Sequence, residues 1–358
     1  MRHLIDVIDF AKDELDALLS FAGEIIANPG RFADSAQGKI LATLFFEPST
    51  RTRLSFESAM LSLGGNVIGF SDSSSSSAVK GESLGDTVQT VSCYSDIIAM
   101  RHPKEGAAMA GAMRSAVPII NAGDGGHSHP TQTLTDLLTL KREKGGIDGL
   151  TVGMCGDLKY GRTVHSLINA LGMHRGIKLV FISPAELAIP SYMKSGVLKR
   201  RGMKWEETAS LEEALPSLNV LYMTRIQGER FDNIEDYNRL KGSYVLTAEK
   251  MRAAKADMSV LHPLPRVNEI SVEVDADPRA AYFRQVQNGK YVRMALIHTL
   301  LFGGLPSRPL FEEGRARLDL SCQNPRCITT VESGIRQVFT QSEGGAPACL
   351  YCEKAVSK

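Results

Sequence analysis

Glu47-Pro48-Ser49-Thr50-Arg51-Thr52-Arg53 follows an unbroken apolar run from Ile40 to Phe46 and precedes a segment with apolar residues at Phe56, Ala59, Met60 and Leu63. The run reads as a buried strand, and the spacing after it is helical. Gly64-Gly65 closes that helix. The hydroxyls and guanidinia therefore sit on a strand-to-helix turn, at a helix N-terminus. Free backbone N–H groups and the positive end of the helix dipole converge there. Such an end binds phosphate or another small anion. Ser49 taken singly reads as an ordinary helix cap. Ser49, Thr50 and Thr52 together with Arg51 and Arg53 read as an anion cup.

The same pattern recurs outward from this turn. Residues up to Ile26 carry an apolar stripe (Phe10, Leu15, Leu18, Leu19, Ala22, Ile25) that ends at Asn28-Pro29-Gly30, so a helix opens the chain. Asn66 to Phe70 is a short strand, and the run of serines from Ser71 to Ser77 reads as a polar connector. Val79-Lys80-Gly81-Glu82-Ser83 leads into a helix marked by Leu84, Val88 and Val91. On sequence grammar alone Lys80 is a solvated loop lysine. Ile97 to Met100 is a strand, with Arg101-His102-Pro103 just past its end. Ligands of open α/β sheets gather at such ends, so Arg101 reads equally as a ligand or as a surface arginine. A helix over 107–115 and a strand from Val117 to Asn121 lead to Gly123-Asp124-Gly125-Gly126-His127-Ser128-His129-Pro130-Thr131-Gln132, a turn that opens another helix. His127 and His129 lack the carboxylate-histidine set of a metal site. A histidine donating a hydrogen bond at the turn fits better.

After Lys144-Gly145-Gly146 the pattern restarts, and a domain boundary belongs there. Leu150 to Cys155 is a strand, followed by Gly156-Asp157-Leu158-Lys159-Tyr160-Gly161-Arg162-Thr163 and a helix. This is not a P-loop, because Asp157 would repel a phosphate and an arginine replaces the lysine. A helix end presenting Arg162 to a carboxylate is the better reading, since the guanidinium fork matches a carboxylate. Strands follow at Lys178–Ile182, Met203–Glu206, Asn219–Met223 and Ser259–Leu261, with a helix over Ser191–Arg201. Thr224-Arg225-Ile226-Gln227 again puts an arginine and a glutamine at a strand end. His262-Pro263-Leu264-Pro265-Arg266 has a backbone fixed by two prolines, which suits a carbonyl-lined wall. Residues 228–242 read as a surface loop with a short helix, and Gly289 to Phe302 as a long helix.

Composition bounds the rest. In 358 residues, 43% hydrophobic and 23% charged, two domains or more are expected. The net charge of +1 leaves no footprint for nucleic acid or an anionic membrane. Asp6, Asp9, Lys12 and Asp13 break any signal-peptide core, so a cytoplasmic protein is expected. Cys93 and Cys155 read as buried core thiols. No dinucleotide fingerprint and no nucleophile–base pair is present. Arginines, hydroxyls, one lysine, one histidine and glutamines at strand ends argue for a cofactor-free transferase acting on a phosphorylated and a carboxylated substrate.

Ser49-Thr50-Arg51-Thr52-Arg53, Arg101-His102-Pro103 and His129-Pro130-Thr131-Gln132 resemble the carbamoyl phosphate site of the aspartate and ornithine carbamoyltransferases. His262-Pro263-Leu264-Pro265-Arg266 and Thr224-Arg225-Ile226-Gln227 resemble the aspartate branch. The ornithine enzymes carry a cysteine in the first of these two motifs and a Ser-Met-Gly loop, and this chain has neither. The resemblance covers roughly residues 1–306. It implies two α/β domains, each a mostly parallel sheet flanked by helices: 1–142, completed by a helix over 287–306, and 143–286. It implies carbamoyl transfer to L-aspartate, an early step of pyrimidine biosynthesis, without a catalytic cofactor or covalent adduct. Transfer to another amine such as ornithine, or a silent scaffold of the same fold, are the alternatives.

The resemblance also implies roles. Ser49, Thr50, Arg51 and Thr52 bind phosphate. Arg101, His129 and Thr52 polarise the carbamoyl carbonyl, and Gln132 holds the amino group with help from the Pro263 and Leu264 carbonyls. Arg162, Arg225 and Gln227 take the carboxylates of aspartate. Ser76 and Lys80 reach into a neighbouring subunit's site, Lys80 touching both substrates, so the serine loop becomes catalytic and a homotrimer is implied. Domain closure is expected to bring Arg162 and Arg225 toward His129.

Cys322-x4-Cys327-x21-Cys349-x2-Cys352 has the pattern of a tetrahedral zinc site rather than of two disulfides. The segment 318–358, after a linker at 307–317, resembles the zinc domain of the regulatory chains that partner these enzymes, here fused to the catalytic chain. The nucleotide-binding domain of those chains is missing. The tail is expected to be structural, to hold Zn2+, and to admit a higher assembly.

Overall fold

The computed structural model describes residues 1–72, 77–226, 234–240, 242, 244–310, 320–341 and 346–356. The chain divides into two compact units: Met1–Thr131 with Gly289–Lys358, and Gln132–Asn288.

The first unit opens with α1 (Lys12–Ala27), whose Leu15, Leu18, Leu19, Ala22 and Ile25 are buried at helical spacing. Then come β1 (Ile40–Phe45), α2 (Thr50–Ser62), β2 (Asn66–Phe70), α3 (Leu84–Ser92), β3 (Ile97–His102), α4 (Ala107–Ala112) and β4 (Ile119–Asp124). The strands form a wholly parallel sheet in the order β2-β1-β3-β4. β1 and the first four residues of β3 are nearly continuous apolar runs, buried from Leu41 to Phe45 and from Ile97 to Met100, and β4 is buried throughout. Runs of that kind belong to parallel sheets covered on both faces. The order reverses direction between β1 and β3, and that topological switch opens a crevice outside their carboxyl ends.

Helix α5 (Pro130–Lys144) leads into the second unit. There β5 (Thr151–Cys155), α6 (Arg162–Leu171), β6 (Lys178–Ile182), α7 (Ser191–Met193, continued as a π-turn to Leu198), β7 (Lys204–Thr208), α8 (Leu211–Ala214), β8 (Val220–Met223), α9 (Ile234–Leu240) and β9 (Ser259–Leu261) follow. A second parallel sheet runs β7-β6-β5-β8-β9, with its switch between β5 and β8. Helix α10 (Tyr282–Phe302) returns the chain to the first unit, and the tail adds the hairpin β10 (Phe339–Gln341) and β11 (Pro347–Cys349).

Several expectations needed correction: β4 is shifted to Ile119–Asp124, α4 ends at Ala112, β7 is shifted to Lys204–Thr208, and three further differences have a visible cause. β3 runs through Arg101 and His102 instead of stopping at Met100, because Arg101 stays in register opposite Phe45 and its carbonyl accepts from Phe46 N at 2.8 Å. Helix α10 starts at Tyr282, seven residues before Gly289. A glycine inside a helix costs only about 1 kcal/mol against alanine, so it need not mark a boundary. Cys93 is exposed, not buried, because it caps α3 away from the face that buries Leu84 and Val88. Cys155 is buried as expected.

The tail packs on the first unit. Glu105 N donates to the Arg326 carbonyl and Ile328 N donates to the Glu105 carbonyl, both at 2.9 Å. Tail residues Ile328, Phe339 and Tyr351 share one apolar core with Ala107, Ala108 and Met100. Gly106 sits at the contact with φ +80, and a Cβ there would lie 2.4 Å from both the Cβ and the carbonyl oxygen of Tyr351. Backbone conformation and space both require glycine. Gly106→Ala is therefore expected to destabilise the docked tail by roughly 1–3 kcal/mol. Thermal unfolding with limited proteolysis of the tail measures it, and an unchanged melt would refute the contact.

Candidate active site and candidate metal centre

In the first unit, the cup forms where β1 ends. Ser49 is the N-cap residue of α2, makes no side-chain cap bond, and gives its carbonyl to Arg53 N at 3.0 Å. Its hydroxyl is thus not spent on its own helix. No acidic residue lies in the first turn of α2, so the helix dipole there is not neutralised by its own side chains. Thr50 and Arg51 are exposed and Thr52 is buried. Arg53 is committed elsewhere: its Nε donates to Glu57 at 2.7 Å, one turn along α2.

Arg101 comes to the same edge from β3 and pairs with Glu47 at 2.8 Å. Its Nε is buried and makes no hydrogen bond among the described residues. Burial pulls the guanidinium's pKa down, and the Glu47 carboxylate partly restores it. His129, 6% exposed, immediately precedes α5. Behind both helix ends lies the buried Arg293, whose guanidinium donates to Ser55 Oγ at 3.1 Å and Thr131 Oγ1 at 3.2 Å and covers the Phe56 ring at 5.0 Å. The turn before His129 is braced by Asp124. Its carboxylate accepts from Gly106 N at 2.8 Å, Ser128 N at 3.0 Å and Asn121 Nδ2 at 3.1 Å. His127 lies 3.1 Å from Asp124 and 3.5 Å from Glu353 of the tail. Burial alone would lower its pKa, but the two carboxylates outweigh burial and hold it well above the usual histidine range. His127 thus serves the turn, as its neighbours in sequence suggested.

Lys80 ends a 3₁₀ turn and is exposed. Ser76 lies outside the described residues, as does Gln227.

In the second unit, the turn after β5 is locked to the turn after β8. Thr224 Oγ1 donates to the Cys155 carbonyl at 2.9 Å and accepts from Asp157 N at 3.0 Å. Gly156 has φ +114, and a Cβ there would lie 2.5 Å from the Thr224 carbonyl. This close approach sets the turns leading to Arg162, the first residue of α6, and to Arg225 on either side of the sheet's switch point. Gln132 Nε2 donates to Asp136 at 2.7 Å, and Asp136 also accepts from Gln285 at 2.6 Å and Tyr222 at 2.9 Å. Pro263 and Leu264 follow β9 in a loop set by His262, which accepts from Leu264 N at 2.7 Å and meets Glu269 at 2.8 Å. Burial would raise the Glu269 carboxyl, yet His262 and the Val267 N–H bring it down to about 2.

The four tail cysteines are buried with their sulfurs all within 4.8 Å of one another. Cys322 and Cys352 sulfurs are 3.7 Å apart, and those of Cys327 and Cys349 are 3.8 Å apart. A tetrahedral ion with bonds of ~2.3 Å to sulfur separates its ligands by about 3.8 Å. The donors fit such an ion, and the thiols are too far apart to be disulfides.

Three family profiles match in chain order: the carbamoyl-P binding domain of aspartate/ornithine carbamoyltransferase over 2–142, its Asp/Orn binding domain over 148–300, and the metal binding domain of the aspartate carbamoyltransferase regulatory chain over 317–358. The aspartate carbamoyltransferase catalytic subunit of Lachnoclostridium phytofermentans is 60% identical over 301 residues, which are 84% of this chain and 98% of that protein. The chain belongs to the aspartate carbamoyltransferase family.

The catalytic subunit of Clostridium perfringens aspartate carbamoyltransferase is likewise 60% identical, over 300 residues. The solved catalytic subunit of M. jannaschii aspartate transcarbamoylase superposes with a TM-score of 0.80 at 48% identity, covering 85% of this chain and 99% of its own. The Trypanosoma cruzi aspartate transcarbamoylase, solved with carbamoyl phosphate and aspartate, gives 0.79 at 38% identity, covering 84% and 97%. Beyond what the aspartate carbamoyltransferase motifs announced, the structure adds Glu47, Asp124 and Arg293. Asp124 had a visible signal, a lone acid inside a Gly-rich turn. Glu47 stood in the quoted motif without a stated role, and Arg293 had no local signal at all.

Proposed function

We propose that this chain transfers the carbamoyl group of carbamoyl phosphate to the amino group of L-aspartate, giving N-carbamoyl-L-aspartate and phosphate, an early step of pyrimidine biosynthesis. The observation that carries the reading is the acid-free N-terminus of α2 standing beside Arg101 at the β1/β3 switch point. Ser49, Thr50, Arg51 and Thr52 take the phosphate, with Ser76 and Lys80 from a neighbouring subunit. The amine nitrogen attacks the carbamoyl carbon, and the C–O bond to phosphate breaks. The proton leaves with a phosphate oxygen. Arg101, Thr52 and His129 stabilise the oxyanion that forms between those events; a preorganised donor of this kind is worth about 2.7–4 kcal/mol of barrier. The buried, unspent Nε of Arg101 supports that role. Gln132 and the Pro263 and Leu264 carbonyls hold the carbamoyl amino group.

Arg162, Arg225 and Gln227 take the aspartate carboxylates, joined by Lys80. The ion of the tail is Zn2+, held by Cys322, Cys327, Cys349 and Cys352 in a structural role. The working form is a homotrimer in the cytoplasm, and the exposed Leu54 and Leu61 on α2 support burial of that helix face in an assembly. No helix among the described residues is long and apolar enough to cross a membrane.

Phosphate release measured with aspartate, with ornithine and without an amine tests the reading; release that does not depend on aspartate would overturn it. Arg225→Ala is expected to raise the KM for aspartate roughly a hundredfold while changing that for carbamoyl phosphate little, since losing a charged bidentate partner costs about 2–5 kcal/mol. Equal rises for both substrates would remove Arg225 from the aspartate site.

A further inference from the structure

We propose that Glu332, on the metal-binding tail, is a positioning residue for Lys80. The inference rests on the reading of Lys80 as a residue that touches substrate. Helix α3 begins four residues after Lys80, and its first N–H groups need acceptors. Ser83, the N-cap, takes Asp86 N with its hydroxyl at 3.1 Å. Its carbonyl takes Thr87 N at 3.0 Å. Leu84 N is among the donors that Ser83 does not take. Both carboxylate oxygens of Glu332 accept that bond, at 3.1 and 3.0 Å, from a residue 248 positions away.

The same contact sets a negative charge against the positive end of α3. The Glu332 carboxyl is held above the usual carboxylate range by burial, opposed by the Leu84 N–H, with the Asp86 charge adding to the rise. The residues between Lys80 and this anchor are themselves held. Glu82 accepts from the Thr87 hydroxyl at 2.8 Å, and Ser83 is bound as described. Gly81, with φ +89 and open space around it, is the remaining pivot. A shift of Leu84 is therefore passed to Lys80 through a single intervening residue that has no bracing contact of its own at the Cβ position.

Glu332 in turn is fixed to the metal centre. Its N–H donates to the Ile328 carbonyl at 3.0 Å, and Ile328 follows the ligand Cys327. The tail thus reaches the root of the Lys80 segment by a short covalent and hydrogen-bonded route. A misplacement of about 1 Å at a reacting centre costs as much as a hundredfold in rate, so a small slackening of this root is readable in turnover.

The test uses full-length Glu332→Ala, Glu332→Gln and Lys80→Ala chains, each checked for metal content and assembly mass. Glu332→Ala is expected to lose roughly tenfold in kcat with metal content and mass unchanged. Glu332→Gln, whose amide oxygen accepts the same bond, recovers most of that loss. Hybrids give the readout that a merely stabilising contact would not move. Arg51→Ala chains mixed with Lys80→Ala chains assemble sites holding an intact Arg51 and an intact Lys80. Adding Glu332→Ala to the chain that supplies Lys80 lowers hybrid turnover tenfold, whereas adding it to the other chain does not; equal losses from both would overturn the proposal. Wild-type kcat in Glu332→Ala beside an impaired Lys80→Ala overturns it also. Wild-type kcat in Lys80→Ala overturns instead the role of Lys80 on which it stands.

Discussion

Arg51→Ala is expected to turn over roughly a thousandfold more slowly than the native chain, or worse, at saturating substrates. The size follows from what surrounds the residue. Of the guanidinia at this end of the first sheet, Arg53 is committed to Glu57 and Arg101 is paired with Glu47. Arg51 is exposed on the first turn of α2, a turn that holds no acidic residue of its own. A phosphate leaving from that helix end gains charge as its bond to carbon breaks, so a cation there stabilises the transition state more than the ground state. Lysine at position 51 keeps the charge and loses the fork, so Arg51→Lys should fall between the two. Phosphate release under saturating conditions measures all three. An alanine variant within tenfold of native turnover would sink the assignment of the cup.

Withdrawal of the metal is expected to unfold the tail outright. The matched segment 317–358 is near the size, roughly 40 residues, below which chains rarely hold a fold without a metal or disulfides. Its described regular structure is a short turn and a hairpin of two three-residue strands, with the four cysteines at the centre of its core. Binding free energies of about 10–16 kcal/mol are typical where a structural ion organises such a segment. Chelation, or Cys349→Ser, should therefore expose the tail to protease and lower the thermal midpoint of the whole chain. The second effect follows because Glu105, 4% exposed, then loses the Asn324 amide at 2.7 Å and the Lys354 ammonium at 3.3 Å. Reductant alone should do nothing, since the thiols are free. Protease resistance that survives complete removal of the ion would refute a structural role.

The α/β architecture was legible because parallel strands, buried on both faces, leave continuous apolar runs. The bounds of β6 match the run Lys178–Ile182 residue for residue, and those of the more exposed edge strand β2 match Asn66–Phe70. β3 was read short because its last two residues, Arg101 and His102, are polar although their backbone stays in the ladder. The cup at Ser49–Arg53 was legible for a local reason: a strand, a turn and a helix start are all encoded within a few residues. What pairs with it was not. The Glu47–Arg101 pair depends on β1 lying beside β3, and Glu332 meets Leu84 across 248 positions. Arg293 is a lone arginine in an apolar helix pattern until α2 and the start of α5 are seen against it. Contacts of that range follow from the assembled topology, which no short window of sequence carries.

The attachment of the metal-binding segment to the chain whose surface it covers changes the thermodynamics of that contact. In a two-chain arrangement, occupancy of the surface around Glu105 and Gly106 would be set by mass action and would fall on dilution. Here the covering segment belongs to the same polypeptide, and a short tether holds a partner at an effective concentration in the millimolar range. Its occupancy is independent of protein concentration, and its stoichiometry is fixed at one per catalytic chain.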